Sequence, residues 1–565
     1  MLNKIRKARP SDSDANRSAL LILGRVVVLP LASSFLYWLS SPACSLSLTV
    51  WACLVPLGIS LHRTSPRQGF VAGLVYGVGF WLFGAWWVEN ALVSMVHLSP
   101  WQAWAWTFVF CILHGLPYGL FGYLAGRLRL LESQLGAVLA AAALTVIGLW
   151  YPHMFPGSEA NSLSPWPLFI QVLDLGGVPL LLFCVYLVNF LLVRAIIGWR
   201  SRQVWLPSLV CATAVLAFLA GYGGWRLHEL HGQMETANGG QQITVLSIQP
   251  DVPIDPKSPD VPPPDRGNNI TTVLAMSIEG ARRCRGADLI VWPELPFAFD
   301  RQVANNDLPL LAQVTGKALM LPCVSASGDT GKTAYNSVTF IGKDGTVGEE
   351  YRKLLLVPFG EYIPLERQLP FLRKVFPGVM SFVAGDKGPV VYDLGAGRRL
   401  IPSLCYEAIF TEHIRRFVER GGNVLINMTD DAWFGDSPAS LAHLSVALFR
   451  TVEYRIPLVR VTNSGVGAFV QPTGEIVPGS QTPLFQKGDT AFALYIPRER
   501  SPYSRFGDAF LYVLTAACAV GLGMQSLRLR AEKGGARTGA GTRGKAVPRK
   551  SGRKGKSKLT AKENT

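Results

Sequence analysis

No pair of cysteines in this sequence has the spacing of a metal site or a disulfide framework. The nine cysteines are widely separated, and all five that precede residue 220 lie in apolar stretches. Two histidines, His413 and His443, have no ligand-type residues clustered with them, so we interpret both as structural or surface residues. We therefore expect no metal and no cofactor.

Charged residues are scarce, at 16% of the chain, whereas hydrophobic residues make up 49%. This composition, with a positive mean hydropathy and fifteen tryptophans, is typical of a protein that lies largely in lipid. The first apolar run, residues 20–39, lacks a small-residue cleavage site. We interpret it as a retained anchor, and not a removed signal peptide, behind a basic cytoplasmic N-terminus at residues 1–19.

Seven apolar runs precede the first long polar region, and an eighth follows it. Together they predict a multi-pass α-helical membrane domain of about eight transmembrane helices, seven within residues 20–225 and one within residues 507–527. The predicted spans are 20–39, 43–61, 69–88, 101–126, 135–150, 178–197, 205–221 and 509–524.

Lysine and arginine are absent from every second loop between these spans. The loops after the second, fourth and sixth spans are basic, with Arg63 and Arg67, Arg127 and Arg129, and Arg200 and Arg202, whereas the intervening loops have neither residue type. Because positive residues collect on the cytoplasmic side, the N-terminus is predicted inside and residues 240–500 outside. In a diderm bacterium this predicts an inner (cytoplasmic) membrane protein with a periplasmic domain.

The net charge of +16 could also indicate a nucleic-acid partner. We expect none, because the basic residues cluster at the ends of membrane spans and in the C-terminal tail and form no binding motif. Residues 528–565 are rich in lysine, arginine and glycine with almost no apolar content. They predict a disordered cytoplasmic tail that contacts anionic lipid and has no catalytic role.

Arg25, His114 and Asp174 are ionisable residues in or near predicted spans. Such residues at membrane depth are functional candidates by default. A structural role is at least as well supported, since Arg25 can extend to the interface and Asp174 can lie in a short segment outside the lipid. No internal repeat or interrupted helix pair indicates a transporter.

Residues 240–500 alternate short apolar runs with helical or turn segments, which predicts an α/β layered domain. Residues 343–346 and 472–475 are turn signals between strand-like runs, and the prolines in residues 253–264 predict an extended loop. The predicted strands are 243–248, 289–292, 320–324, 337–341, 400–405, 424–427, 458–462 and 468–471.

Glu294, Lys353 and Cys405 stand where predicted strands end. A carboxylate can accept the proton of a thiol, while an ammonium group lowers the pKa of that thiol and stabilises the oxyanion formed when it attacks a carbonyl. Together the three residues predict a covalent acyl-transfer site. Taken singly, Glu294 and Lys353 are ordinary surface residues, and Cys405 is an ordinary buried thiol.

Four segments carry a resemblance to a known family. They are Trp-Pro-Glu at 292–294, Lys353 with the Leu-Val-Pro-Phe-Gly-Glu-Tyr-Ile-Pro run at 356–364, Cys-Tyr-Glu at 405–407, and Asp-Asp-Ala-Trp-Phe-Gly-Asp-Ser at 430–437. This combination resembles the nitrilase (carbon-nitrogen hydrolase) superfamily and, with the membrane spans that flank it, more narrowly the apolipoprotein N-acyltransferase family. The resemblance covers about residues 20–524.

The resemblance implies that residues 240–500 form a nitrilase-like αββα sandwich. In it Glu294 is the general base, Lys353 stabilises the oxyanion and Cys405 is the nucleophile. It also implies a set of supporting and substrate-binding residues: Glu361, Tyr406 and Glu407 as essential neighbours, Trp433 on a substrate-facing loop, and Asn336 and Asn463 in the pocket lining.

The implied reaction transfers an acyl chain from a phospholipid, typically phosphatidylethanolamine, to the cysteine as a thioester. The chain then passes to the α-amine of the N-terminal S-diacylglyceryl cysteine of diacylated apolipoproteins. Two transfers through one cysteine predict ping-pong kinetics. Because water would hydrolyse the thioester, we expect Phe359, Trp433 and Phe434 to form apolar walls around it.

Two other functions remain open. The first is a membrane-tethered nitrilase-type amidase that hydrolyses a small amide or nitrile; seven preceding spans argue against it, since one anchor would suffice. The second is a receptor or transport protein whose outer domain only binds ligand, and the presence of Glu294, Lys353 and Cys405 together argues against that.

Overall fold

Apolar helices build the N-terminal region of the computed structural model. The structure describes residues 20–237, 242–253, 266–294, 300–327 and 333–541, so the predicted basic N-terminus, most of the proline-rich segment and the tail after residue 541 lie outside it. The longer helices of this region are Leu20–Ser40, Ser47–Leu61, Pro66–Ala85, Val88–Ser94, Pro100–Leu128, Gln134–Trp150, Leu173–Ile197 and Arg202–Glu235, and the last helix among the described residues is Ala509–Gly541.

Six helices among the described residues are long and apolar enough to cross a membrane, and Ser47–Leu61 and Gln134–Trp150 are shorter apolar helices at two further predicted spans. Helices Pro66–Ala85 and Pro100–Leu128 both begin before their predicted spans, which are 69–88 and 101–126. In each helix a serine cap is followed by proline at the first helical position, and this pair of residues sets the start. The last helix continues to Gly541, so residues 528–541, predicted as disordered tail, are helical.

Glycines allow helices Pro66–Ala85 and Pro100–Leu128 to pack closely. A Cβ atom at Gly73 would lie 2.0 Å from the carbonyl oxygen of Tyr118, and one at Gly122 would lie 2.0 Å from that of Gly69. Only glycine permits this approach, which is a common way for helices to associate in lipid. The packing fixes the helix faces that carry Trp81 and His114.

The ionisable residues near predicted spans have defined partners. Arg25 donates from Nε to the carbonyl oxygen of Ser60 at 2.9 Å. Asp174 is completely buried and accepts hydrogen bonds from Tyr222 at 2.6 Å, Arg226 at 3.0 Å and Arg455 at 2.6 Å. Arg455 belongs to the α/β domain. This network therefore joins the α/β domain to the apolar helices, which we call the membrane region.

The α/β domain contains two mixed β-sheets. Six strands form one sheet in the order β11-β1-β2-β3-β4-β5, and five form the other in the order β10-β9-β8-β7-β6. The strands are β1 Gln242–Gln249, β2 Leu289–Val291, β3 Ala318–Ser327, β4 Thr333–Ile341, β5 Tyr351–Arg352, β6 Tyr392–Gly395, β7 Arg398–Leu404, β8 Val424–Thr429, β9 Leu458–Thr462, β10 Ala468–Val470 and β11 Gly488–Tyr495.

The two sheets face each other, and helices cover both outer faces. Ring pairs Phe340–Tyr392 at 5.0 Å and Phe469–Phe492 at 5.4 Å lie between the sheets. Helices Arg266–Arg283 and Arg301–Thr315 share an apolar core with the six-stranded sheet, while Thr411–Glu419 and Ala439–Tyr454 pack on the other sheet. The predicted αββα sandwich is confirmed.

Parallel pairing aligns the carboxyl ends of the central strands. Strands β1, β2 and β3 run parallel, as do β7, β8 and β9. Strand β5 is antiparallel to β4, which is antiparallel to β3, so β5 ends at the same edge as β2. Glu294, Lys353 and Cys405 therefore follow strands that end on one side of the sandwich.

Both predicted turns are present, with Gly345 at φ +88° and Gly474 at φ +83°. Strands β5, β6 and β11 were missing from the sequence-based prediction. Strand β5 has only two residues, β6 has four, and most of β11 is only half-buried. Strands β5 and β6 contain no continuous apolar run of the kind that identifies a buried strand. Strand β11 does contain one, Ala-Phe-Ala-Leu-Tyr at residues 491–495, which the prediction missed.

We expect Asp174→Asn to lower the free energy of unfolding by about 3–5 kcal/mol, because it leaves the buried Arg455 without its counter-ion. Denaturant titration of the detergent-solubilised protein measures the change. The control is Glu132→Gln, which removes an ion pair to the exposed Arg129 and should change the free energy of unfolding by about 0–1 kcal/mol. Equal effects of the two substitutions would contradict this account.

Candidate active site

One cavity of about 460 Å³ has walls from both the membrane region and the α/β domain. Most of its lining is apolar or aromatic, including Trp81, Trp87, Phe110 and Phe155 from the membrane region. Against this apolar background the α/β domain contributes a small number of thiols and polar side chains, among them Glu294, Cys323, Asn336, Lys353, Glu361, Cys405, Asp430, His443 and Ser445. The structure thus brings all three predicted catalytic residues to one cavity.

Asn336 bridges two carboxylates of the site. Its Nδ2 donates to Glu294 Oε1 at 2.7 Å and to Glu361 Oε1 at 2.9 Å. Glu361 Oε1 also accepts from Lys353 Nζ at 2.8 Å, and Glu361 Oε2 accepts from the backbone N–H of Val357 at 2.8 Å. These hydrogen bonds fix the positions of Glu294 and Lys353 relative to each other.

Charge balance in this cluster decides the protonation states. Burial opposes the charge of Lys353, but the carboxylates of Glu361 and Glu294 outweigh it and raise the pKa of the ammonium group above its ordinary value. Burial raises the pKa of Glu294, against the lowering effect of Lys353. Lys353 is therefore a permanent cation, while Glu294 can exchange a proton more readily than an exposed glutamate.

Cys405 begins the 3₁₀ helix Cys405–Ile409 directly after strand β7, as the sequence predicted. Its backbone has φ +47°, in the left-handed region that non-glycine residues rarely occupy. Burial and the charge of Glu294 raise the pKa of the thiol to about 12, and Lys353 only partly offsets them. Lys353 lowers the thiol pKa, as expected, but burial and Glu294 outweigh it. A thiol in this state needs a base in order to act as a nucleophile.

Tyr406 lines the cavity and connects the site to the membrane region. Its hydroxyl donates to the carbonyl oxygen of Met154, and its ring packs edge-on against Phe155 at 5.7 Å. The backbone N–H of Met154 in turn donates to His114 Nε2 at 3.0 Å. The residue next to the candidate nucleophile is thus held by a loop of the membrane region.

Glu407 lies behind the cavity and does not line it. Its side chain is completely buried and accepts from the Tyr351 hydroxyl at 2.6 Å, from the backbone N–H of Leu354 at 2.7 Å and from that of Leu404 at 2.9 Å. It therefore ties the segment after Lys353 to the segment before Cys405. This makes Glu407 a link between two parts of the site and not a substrate contact.

Trp433 and Phe434 form part of the cavity wall, as does Phe359. Two side chains of helix Val88–Ser94 hold the loop: Ser94 Oγ donates to the carbonyl oxygen of Trp433 at 2.8 Å, and Asn90 Nδ2 donates to that of Phe434 at 3.0 Å. The membrane region again positions a wall of the cavity.

His443 was interpreted as isolated, yet it lines the cavity, and its Nε2 lies 3.2 Å from the carbonyl oxygen of Cys405. Its Nδ1 lies 3.3 Å from Asp431, which follows strand β8 at the same edge as Cys405. The position of Asp431 at the end of a strand was the sequence feature that could have indicated a role for this pair in the site. Asn463, predicted in the lining, lies instead behind Asp430, to which it donates at 3.3 Å.

Two family models match this chain, one in each of its two main regions. The sequence model of the apolipoprotein N-acyltransferase N-terminal domain matches residues 33–191, and that of carbon-nitrogen hydrolases matches residues 248–492. Among solved structures, an amidase from Nesterenkonia sp. aligns with 49% of this chain and 97% of its own, at 19% identity and a TM-score of 0.35.

Two relatives match nearly their whole length. An apolipoprotein N-acyltransferase of Geobacter metallireducens is 31% identical over 532 residues, 91% of this chain and 97% of that protein. One of Rhodopseudomonas palustris is 29% identical over 508 residues, 86% of this chain and 89% of that protein. This chain therefore belongs to the apolipoprotein N-acyltransferase family.

Proposed function

We propose that this protein transfers an acyl chain from a phospholipid, through a thioester on Cys405, to the α-amine of the N-terminal S-diacylglyceryl cysteine of apolipoproteins. The observation that carries the proposal is the single cavity in which Glu294, Lys353 and Cys405 meet aromatic walls from the membrane region. A site for acyl chains needs such walls. A membrane-tethered amidase for small amides does not, so that alternative is less well supported.

In the first half-reaction Cys405 Sγ attacks the ester carbonyl of the phospholipid, and Glu294 accepts the thiol proton. Lys353 stabilises the oxyanion of the tetrahedral intermediate. The intermediate collapses with cleavage of the ester C–O bond, and Glu294 returns its proton to the departing alkoxide. The products are a lysophospholipid and an acylated Cys405.

In the second half-reaction the α-amine of the lipoprotein attacks the thioester carbonyl. Glu294 accepts a proton from the amine, Lys353 again stabilises the oxyanion, and the C–S bond breaks. The cysteine sulfur recovers the proton from Glu294, so the site ends in its starting state. Glu361, Asn336 and Glu407 hold these groups in place, and the scheme predicts ping-pong kinetics.

The apolar environment of the substrates explains a membrane-bound enzyme. Removing an acyl chain from lipid to water costs about 0.8 kcal/mol for each CH₂ group. Both substrates therefore stay in the bilayer, and the site must lie next to it. The contacts of Tyr406, Trp433 and Phe434 with the membrane region support such a placement.

The orientation in the membrane forms part of the proposal. The alternation of basic loops favours an inner-membrane protein with residues 20–225 and 507–527 as its spans and residues 240–500 in the periplasm. Phosphatidylethanolamine is proposed as donor on the family resemblance. A periplasmic site faces the compartment where secreted lipoproteins present their N-termini.

Cys405→Ala should abolish the acyl-enzyme. Incubation of the purified protein with phosphatidylethanolamine, followed by proteolysis and mass spectrometry, should detect an acyl mass on the peptide that contains Cys405 and release of a lysophospholipid. The buried thiol Cys323, changed to alanine, serves as the control and should leave the adduct in place. An adduct that survives Cys405→Ala would contradict the assignment of the nucleophile.

Depletion of the protein in its own host should leave lipoproteins diacylated, with a free α-amine at the N-terminal cysteine. Mass spectrometry of lipoprotein N-terminal peptides measures this, and re-expression of the wild-type chain, but not of Cys405→Ala, should restore the third acyl chain. Persistent triacylation in a host without a second acyltransferase would rule out the proposed function.

The rate of Cys405 acylation should rise with pH through the pKa of Glu294, which burial raises above its ordinary value of 4.5, because only the ionised carboxylate accepts the thiol proton. Glu294→Gln should remove this rise and slow acylation by about 10²–10⁴-fold. Initial rates measured across the acid-to-neutral range test both effects. The same acid limb in Glu294→Gln would show that another group is the base.

A further inference from the structure

Arg460 is a completely buried arginine on strand β9 that lies outside the cavity lining. Its Nη1 donates to Asn427 Oδ1 at 2.7 Å, and its Nη2 donates to Asp431 Oδ2 at 2.6 Å. Nη2 also lies 3.1 Å from His443 Nδ1, and Nε donates to the carbonyl oxygen of Val466 at 3.3 Å. All three nitrogens of the guanidinium group therefore have partners.

These contacts determine how Asn427 and His443 are oriented. A guanidinium group only donates hydrogen bonds. Asn427 must therefore present its carbonyl oxygen to Arg460 and direct its NH₂ group elsewhere. His443 Nδ1 lies between an N–H donor, Arg460 Nη2 at 3.1 Å, and an acceptor, Asp431 Oδ1 at 3.3 Å. Its Nε2 faces the carbonyl oxygen of Cys405, which only accepts. The contacts with Arg460 and with this carbonyl both place the single proton of the neutral ring on Nε2, so that Nδ1 accepts from Arg460.

Both proton donors meet at the carbonyl oxygen of Cys405. Asn427 Nδ2 lies 3.1 Å from this oxygen, and His443 Nε2 lies 3.2 Å from it. A carbonyl oxygen has two lone pairs and can accept both hydrogen bonds. Arg460 thus selects, from behind the cavity, the amide orientation and the tautomer that hold the peptide bond after the candidate nucleophile.

The backbone of Cys405 needs such support. Its φ of +47° is unfavourable for a residue with a Cβ atom, and strained conformations of this kind persist only when surrounding contacts fix them. The carbonyl that is held belongs to the peptide between Cys405 and Tyr406. A carbonyl held by two hydrogen bonds restricts the ψ torsion of Cys405 and with it the orientation of the Cα–Cβ bond that carries the thiol.

The charges around Arg460 agree with this arrangement. Burial and the positive charge of Arg460 lower the pKa of His443, which keeps the ring neutral. Burial alone would raise the pKa of Asp431, but the positive charge of Arg460 lowers it well below its ordinary value, so Asp431 is the counter-ion of the guanidinium group. Ser440 and Thr429 also donate to Asp431.

We infer that Arg460 is a positioning residue for acyl transfer: through Asn427 and His443 it fixes the carbonyl of Cys405 and thereby the direction of the thiol. The inference rests on the proposed function in so far as the thiol is the nucleophile. Arg460, Asn427 and His443 neither form bonds nor transfer protons in the proposed mechanism. They affect the attack of the thiol through its position.

Arg460→Lys tests the inference. A lysine keeps the charge next to Asp431 but cannot reach Asn427 and His443 together. At saturating phosphatidylethanolamine the rate of Cys405 acylation should fall roughly 10- to 100-fold, as expected for misplaced reacting groups, while the donor concentration at half-maximal rate stays unchanged. Thermal unfolding, recorded in parallel, gives the folded fraction.

Arg455→Lys is the matched control. Arg455 is similarly buried and paired, but its partners are Asp174, Gln171 and the carbonyl oxygen of Pro472, none of which contacts Cys405. This substitution should change thermal stability without changing the acylation rate of the folded protein. If Arg460→Lys slows acylation only in proportion to its folded fraction, as a structural role requires, the inference is overturned.

Substitutions of His443 test the route of the effect. His443→Gln keeps an N–H donor to the Cys405 carbonyl and should retain most of the acylation rate. His443→Leu has no such donor, so its acylation rate should fall. The double variant Arg460→Lys/His443→Leu should be no slower than the slower single variant, because both substitutions remove the same hydrogen bond. Equal rates for His443→Gln and His443→Leu, or additive losses, would overturn the inference.

Alkylation of Cys405 by iodoacetamide separates this inference from the proposed function. The reaction needs no lipid and is followed on the peptide that contains Cys405. Arg460→Lys should change the alkylation rate of the folded protein, whereas Arg455→Lys should not. If the wild-type protein accepted no acyl chain from phosphatidylethanolamine, the proposed function would fail while alkylation still decided the role of Arg460.

Discussion

The site depends on a buried ammonium group placed between two carboxylates. Lys353 has almost no exposed surface, and a lone cation there would be too costly to keep. Glu361 contacts it directly at 2.8 Å, and Glu294 raises its pKa further. The same carboxylates that keep the lysine charged are linked through Asn336, so one hydrogen-bonded cluster both stabilises the cation and places Glu294, the proposed base, beside it.

This cluster sets the reactivity of the thiol. Many reactive cysteines are thiolates at rest because positive charge lowers their pKa, but here burial and Glu294 prevail and the resting thiol of Cys405 is protonated. A protonated thiol is a weaker nucleophile until a base accepts its proton. In the proposed mechanism, transfer of the proton to Glu294 is therefore part of the attack itself, and Lys353 remains available for charge that develops on the substrate.

The membrane region forms part of the site and also determines where the site lies. Its loops and helices hold Tyr406, Trp433 and Phe434 by hydrogen bonds, and its aromatic side chains form much of the cavity wall. The buried Asp174–Arg455 pair joins the same two regions away from the cavity. Removal of the membrane helices would therefore leave the α/β domain with an incomplete site.

The sequence by itself determined the features that depend on local pattern. Long apolar runs predicted the membrane helices, and short ones predicted eight of the eleven strands in the described part of the chain. Glu294 and Cys405 were recognised at the ends of predicted strands, and Lys353 after the predicted turn at residues 343–346. Strand β5 escaped because pairing with its neighbour, and not its composition, makes it a strand.

Only the tertiary structure decided which residues meet and what their charges become. Asn427, His443 and Arg460 lie 22, 38 and 55 residues from Cys405 in the chain. The alignment of strands β7, β8 and β9 places Asn427 next to Arg460, and helix Ala439–Tyr454 brings His443 to the same carbonyl of Cys405 that Asn427 contacts. The pKa of the thiol likewise depends on burial and on Glu294, more than a hundred residues away. Periodicity reports the neighbours of a residue along one element, whereas desolvation and Coulomb interactions depend on distances that only packing between elements sets.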